Sequence, residues 1–551
     1  MKQQYQLSVY DRQEAIGARP RRKPRAILSA SAALGSLALG VSLASAQLVG
    51  PSTTVDPYLV PSHPDAKTVS ILTVDDLPAA NGYRMVGIPD GLGAFKDGRD
   101  FTLVMNHELG NSVGVTRAHG SQGAFVSKWS IDRHTLEVEK GADLTKSANH
   151  VFSWGPSLSQ YKSGTTAWNR FCSADLPQTD AFFAKGRGTK ERIFLNGEEN
   201  NDGRAWAHVV TGPHAGESWQ LPRMGRLPFE NVVASPYAQD KTVVMLMDDG
   251  SANTDPVAGN FPSELYVYIG RKEKHGHPIE EAGLTNGKLF GVKVTMPGNV
   301  VVGGESNAFG LGSSFFIGSG RFSLQEMGPG GDVSGLTNQQ LEEESISENV
   351  FRMQRVEDGA WDPRRSRRND FYFVTTASFT SNSRLWRLRY DDIEHPERGG
   401  TIEILLKGDE PNPDPQGVGS HKMFDNMTID GCGRIVLQED PGNQTYLARV
   451  WVYGIESGNL IEIAHHNPKF FEPPAATHPD FITQDEESSG IIDAADILGK
   501  GWFLLDVQAH KNISASEPEL VEQGQLLAMY IDRALECAKD RDDDHDNKKD
   551  H

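Results

Sequence analysis

Cysteine is nearly absent from this chain: Cys172, Cys432 and Cys537 are the only three among 551 residues. They can build no disulfide framework, and the odd count leaves at least one thiol free. Beyond the N-terminal segment, no apolar run is long enough to span a bilayer. Basic residues are outnumbered, 54 Lys and Arg against 74 Asp and Glu, for a formal net charge of −20. A surface of that sign repels nucleic acid and anionic membranes, so neither is expected as a partner. Helical periodicity is scarce and is expected only over 336–348, 491–498 and 531–539. The chain also lacks a Walker loop, a Gly-x-Ser-x-Gly elbow, a His-Glu-x-x-His pair and a Rossmann fingerprint.

Turn formers and short apolar runs are what the chain does have. Its 56 Gly and 30 Pro suit short strands better than long helices, and a hydrophobic content of 38% still allows a sizeable core at this length. Residues 1–46 read as an export signal. Arg19, Arg21, Arg22, Lys23 and Arg25 precede a small, apolar stretch ending Ala44-Ser45-Ala46, a cleavage pattern. Sec or twin-arginine export would place the mature protein in the periplasm or outside the cell. Removal takes away seven basic and two acidic residues, leaving 47 against 72 and a net charge of −25. Such a surface repels a phosphorylated substrate unless cations sit in the site. Residues 539–551, mostly Asp, Lys and His, read as a disordered acidic tail.

Between these ends, 47–538 is expected to be one all-β domain. The clearest strand-like runs are 101–105, 192–195, 242–247, 264–269, 371–376, 384–390, 449–453, 502–507 and 525–531. One kind ends in acidic or amide groups, as at Asn106-His107-Glu108 or Asp248-Asp249. The other alternates aromatic and aliphatic residues and follows closely, as in Arg384-Leu-Trp-Arg-Leu388. A strand reaching a shared site, then an amphipathic outer strand, repeated around a ring, describes a β-propeller. A two-sheet sandwich would not bring so many acidic strand ends to one place. The long excursions 149–189, 271–306 and 323–350 read as insertions between strands.

The stretch 425–443 shows the design in miniature. Two strands join at a turn over 430–433, the first opening with Asp425 and the second closing with Glu439 and Asp440. Carboxylates at a strand end cost desolvation unless something positive meets them. The candidate metal ligands are Glu108, Glu198, Glu199, Glu230, Asp248, Asp249, Glu357, Asp425, Glu439, Asp440 and Glu487. Any one of them could be a surface or capping carboxylate. As a set they supply the oxygen ligands calcium favours, and several calcium ions in one cavity would offset their charge. In extended backbone Arg355 and Glu357 point to one side, which sets a guanidinium beside a carboxylate, either to clamp an anion or as an ordinary ion pair. Asp506, Gln508 and His510 share one face of their run, and His510 could be a ligand, a proton donor or a hydrogen-bonded strand-end histidine.

The motifs Asn-His-Glu108, Gly-Glu-Glu199, Phe-Glu230-Asn, Met-Asp-Asp249, Arg355-Val-Glu357, Asp425-Asn426, Gln-Glu-Asp440, Glu486-Glu487 and Val-Gln508-Ala-His510 follow one another over nearly the whole mature chain. In that order they resemble the PhoX-type alkaline phosphatases, secreted bacterial enzymes. The resemblance implies a six-bladed propeller whose channel holds calcium and ferric ions, with the acids as ligands and Arg355 and Asn426 holding the phosphate. The activity it implies is phosphate monoester hydrolysis; a monomer is expected. The family's signature has an iron-binding cysteine directly before its Glu-Glu pair, where this chain has Gly197, and Val-Gln-Ala-His510 differs from the family's Gln-His-Pro-Gly. Cys172 lies upstream, in a region where the family also carries a cysteine. Several calcium ions are therefore expected and iron is left open. The alternatives are a non-catalytic calcium-binding propeller and a calcium-dependent lactonase or phosphodiesterase.

Overall fold

A computed structural model describes residues 48–251, 261–311, 316–408, 421–473 and 478–537. The expected export signal and acidic tail lie outside the described residues. Short β-prone runs joined by tight turns pair back antiparallel on their predecessors, and this chain does so six times around a ring. Blade one is Pro89–Asp97, Asp100–His107, Phe125–Asp132 and Val138–Asp143. Blade two runs Phe171–Asp175, Ile193–Glu198, Ala205–Val209 and Ser218–Gln220, with Val151–Gly155 and Gln160–Ser163 at its outer edge. Blade three is Phe229–Ala234, Lys241–Asp248, Ser263–Arg271 and Lys288–Met296. Blade four is Val356–Trp361, Asp370–Thr375, Arg384–Tyr390 and Gly400–Leu406. Strand Ser319–Glu326 pairs with the outer strands of both, joining them into one sheet. Blade five is Phe424–Ile429, Arg434–Glu439, Arg449–Gly454 and Leu460–His466. Blade six is Glu486–Asp493, Trp502–Ala509 and Gln523–Ile531.

Each innermost strand packs against the innermost strands on either side, so the six close a channel. The fold is the expected six-bladed β-propeller. Its apolar core is divided into six layers, one between each pair of neighbouring blades. The N-terminus makes the join. Ala66–Thr73 is the fourth strand of blade six, antiparallel to Gln523–Ile531, and Leu59–Pro61 edges blade five. The three cysteines resolve into a Cys432–Cys537 disulfide and the free, buried Cys172. The disulfide ties the first turn of blade five to the segment after the last strand. Beside it the fully buried Arg434 bonds Asp430 and the carbonyls of Asp532 and Leu535.

Three sequence expectations need correction. The excursions are not plain insertions: 149–189 contains the inner strand of blade two, and 271–306 contains the fourth strand of blade three. Of the expected helices, only Asn338–Glu348 forms at length. Residues 491–493 are strand with a single helical turn after them, and 532–537 form turns because Arg434 takes their carbonyls and the disulfide tethers Cys537. Among the described residues, no helix is long and apolar enough to cross a membrane.

Candidate functional site

The register of the blades decides which side chains meet. Inner and second strands pair Pro89 with His107, Phe171 with Glu198, Phe229 with Asp248, Val356 with Thr375, Phe424 with Glu439 and Glu486 with Ala509. One residue further along each inner strand stand Asp90, Cys172, Glu230, Glu357, Asp425 and Glu487. One residue beyond each second-strand partner stand Glu108, Glu199, Asp249, Thr376, Asp440 and His510. All six inner strands carry a β-bulge at or just beyond this point. A bulge re-aims a side chain and ends regular pairing, and here it turns a ring of polar groups into the channel mouth.

The two rings form one cluster. Cys172 donates to Asp90 Oδ2 at 3.2 Å. Its sulfur belongs to two groups whose candidate ligand atoms lie within 4.8 Å of one another: one with Asp90 and Glu108, the other with Glu199 and Glu230. Gln508 Nε2 donates to Asp90 and Glu108, both at 3.1 Å, and to Glu487 at 3.4 Å. Arg170 lies 2.7 Å from Glu108 and 2.5 Å from Glu199. Arg355 donates twice to Asp249, each at 2.8 Å, and lies 2.9 Å from Glu357. His510 sits between Glu522, at 2.9 Å, and Glu487, at 3.9 Å.

Negative charge exceeds positive charge at the mouth. Nine carboxyl groups (Asp90, Glu108, Glu199, Glu230, Asp249, Glu357, Asp425, Asp440 and Glu487) face Arg170, Arg355 and His510. Burial, then the neighbouring acids, push Asp90, Glu230, Glu357 and Asp425 well above the usual carboxylate range. Burial raises Asp440 to about 7 and, against the pull of Arg170, Glu199 to about 8. Burial also pushes the Cys172 thiol up, and the surrounding carboxylates add to it. Burial works against charge on His510, yet its bonds to Glu487 and Glu522 hold its pKa up to about 11. Buried oxygens without a hydrogen-bond partner remain on Glu230 and on both sides of the Asp506 carboxyl. Buried polar groups in proteins are nearly always paired, and an ion or water at the mouth would satisfy these oxygens. The donor set, many carboxylate oxygens around one thiol, fits hard divalent ions with at most one softer metal.

Four sequence-stated site residues lie elsewhere, and strand alternation explains three. Consecutive side chains at a strand end point to opposite faces, so of Glu198-Glu199, Asp248-Asp249 and Glu439-Asp440 only the second member reaches the channel. Glu198 is instead clasped by Arg204 at 2.5 and 2.6 Å. Glu439 is saturated by the Lys422 and Arg449 amides, the Tyr446 hydroxyl and the Trp451 indole. Asp248 turns outward toward Glu264 and Glu342. Asn426 is the second residue of its bulge. It accepts from Gly490 N at 2.6 Å and Ser173 Oγ at 3.2 Å, and donates to the ring residue Asp425, so it stitches inner strands together behind the ring.

Gly197 also proves to be no ligand position, because a Cβ there would come 2.2 Å from Phe229 Cβ. The thiol of the cluster is Cys172. Sequence reading missed Asp90 and Arg170. Arg170-Phe-Cys172 has the spacing of Arg355-Val-Glu357, and that repeat was the available signal. Both arginines hold left-handed backbone, φ 50° and 61°, so the i, i+2 alternation of an extended strand is not what aims Arg355.

No family model matches the chain, and no curated protein matches it in sequence. Among solved structures it is similar to PhoX of Pseudomonas fluorescens in complex with vanadate, a transition-state analogue. The TM-score is 0.58 at 12% identity, over 85% of this chain and 95% of that one. A luciferin-regenerating enzyme (TM-score 0.31, 10% identity, 81% and 92% covered) and a GH43 β-1,3-galactosidase (0.32, 10%, 83% and 93%) also match at lower similarity. The likeness to PhoX is one of fold: the chain shares its propeller architecture.

Proposed function

We propose that this protein is an exported, metal-dependent hydrolase of phosphate monoesters, with its active site at the acidic mouth of the channel. The carrying observation is the buried ring of nine carboxylates and one thiol, flanked by two arginines, on a fold shared with a protein solved in complex with vanadate, a transition-state analogue. Asp90, Glu108, Glu199, Glu230, Asp249, Glu357, Asp425, Asp440 and Glu487 would hold several calcium ions, and Cys172 would hold the softer ion, iron, if one is present. Bound metal would neutralise the substrate's charge and supply an activated oxygen nucleophile.

The chain's own residues do the rest. Arg355 and Arg170 are tethered to carboxylates on opposite sides of Glu230 and reach the partly exposed rim. Their planar forks can take two non-bridging phosphate oxygens each. The left-handed backbone beneath both arginines is stored strain of the kind that fixes functional side chains. Gln508 and His510 hold Asp90, Glu108 and Glu487 in place. The disulfide agrees with an oxidising compartment outside the cytoplasm.

Arg355→Ala and Arg170→Ala should each lower phosphomonoesterase activity by about two orders of magnitude, the usual loss when one charge-stabilising donor is removed. Metal content should stay nearly constant. The assay is turnover of an aryl phosphate, an aryl phosphodiester and a lactone with calcium, and with calcium plus iron. Lactone or diester turnover alone would give the site to the rival hydrolases. No turnover of any substrate would leave a calcium-binding scaffold.

A further inference from the structure

A second group of acids is buried on blade three, next to the ring residue Asp249. Asp248 closes the second strand of that blade, Glu264 lies at the start of the third, and Glu342 comes from helix Asn338–Glu348. All three are almost wholly buried. The Glu342 carboxyl lies within hydrogen-bonding reach of both Asp248 and Glu264. Yet both oxygens of Asp248, both of Glu264 and Oε2 of Glu342 receive no N–H or O–H donor. The contacts are carboxyl against carboxyl. Arg352, opposite Glu264 across the strand pair, offsets part of one charge. Asp248 and Glu342 face a cavity of about 160 Å³, which Asn338, Asn201 and the ring residue Asp249 also line.

Three carboxyl groups converging on one buried point, with five unpartnered oxygens, are costly unless a cation joins them. All the donors are oxygen and none is His or Cys, which selects a hard ion. We propose that Asp248, Glu264 and Glu342 bind one divalent cation of the calcium class, at a site separate from the channel ring, and that this ion clamps helix Asn338–Glu348 onto blade three. The helix makes one other polar tie to that strand, from Ser345 to the Tyr266 hydroxyl at 2.7 Å. The proposal explains why Asp248 is acidic although its side chain turns away from the channel. It also links the helix to the channel, since the next residue, Asp249, holds Arg355. Without a cation the three groups must share protons.

The test is calcium stoichiometry of the full chain, for wild type, Glu342→Gln and Glu264→Gln. Terbium emission excited through tyrosine is read alongside, because Tyr266 lies beside the three acids. Each variant should carry one calcium fewer per chain than wild type and lose the Tyr266-sensitised part of the emission, and Tyr266→Phe should lose the emission alone. These differences are read whether or not the channel binds metal or hydrolyses phosphate, so they stand apart from the reading of the active site. Unchanged calcium and emission in both variants would overturn the proposal in favour of shared protons. If neither variant folds, a terbium-soaked wild-type crystal decides: an anomalous peak among the three carboxylates supports the site, and no peak there overturns it.

Discussion

Cys172 brings the one free thiol of the chain to the point where blades one, two and three meet. Sulfur is the only soft donor in the cluster, so it is the residue that would select iron among hard ligands. Cys172→Ser should therefore remove iron and any visible colour while leaving calcium largely in place. Gly197→Cys should gain no metal and should lower the melting temperature, because its side chain would be driven into Phe229; overpacking of this kind costs about 1–3 kcal/mol. Metal analysis, an absorption spectrum and a melting curve of the three proteins check both statements. A Gly197→Cys protein that takes up iron without losing stability would contradict this account. At this scale the sequence announces that Glu and Asp pairs end the strands, but not which member turns inward. That choice depends on register, which the bulges in the inner strands reset beside each pair.

The inner strands are the elements that read least well from sequence, and they hold half of the site. The second and third strands are runs of five to nine largely apolar residues, and nearly all of them are visible as such. The inner ones are interrupted by polar bulge residues (Cys172-Ser173, Glu230-Asn231, Glu357-Asp358, Asp425-Asn426), which break the alternation a strand is recognised by. Their entry residues add a second disguise. Ile88, Arg170, Arg355 and Met423, each two positions before a ring residue, all have positive φ. Among connections, the Cys432–Cys537 bond joins positions 105 apart and pins the strand that closes the ring. Cys432→Ser with Cys537→Ser should lower unfolding stability by roughly 2 kcal/mol or more, measured by denaturant melts under conditions where wild type stays oxidised. An unchanged midpoint would show that Arg434 and the strand pairing hold the C-terminal segment unaided.

Across the whole molecule, buried acids outnumber buried cations, and stability must then depend on what surrounds the protein. Besides Glu199 and Asp440, burial raises Glu439 to about 7 and Glu486 to about 8. Unfolded carboxyls titrate near 4, so between about pH 4 and pH 8 the metal-free fold binds more protons than the unfolded chain. Its stability is greatest at the acid end of that window and falls as pH rises through the folded values. Calcium bound as proposed would hold the channel carboxylates ionised and should flatten or reverse the slope. Melting temperatures from pH 5 to 8.5, in chelator and in calcium, measure the difference. A metal-free protein that grows more stable toward pH 8 would refute it. The propeller itself could be read from the recurrence of strand ends, because a ring is what gathers them. The six interblade layers that carry the stability left no separate mark in the sequence.

The join at blade six also sets an order in time. Thr73 and Gln525 meet across it at a separation of 452 residues, so Ala66–Thr73, paired nearby only with the two-residue strand Leu48–Val49, waits for its antiparallel partner until almost the entire chain has left the ribosome and, if exported unfolded, the membrane. Such distant pairings are slow to form, and a waiting strand edge is exposed to wrong partners. Blade six is complete only at that moment. A chain stopped short of residue 523 would carry all of the candidate channel ligands and all six inner strands but no closed blade six to hold them in register, so any capture of metal there should await the last strand.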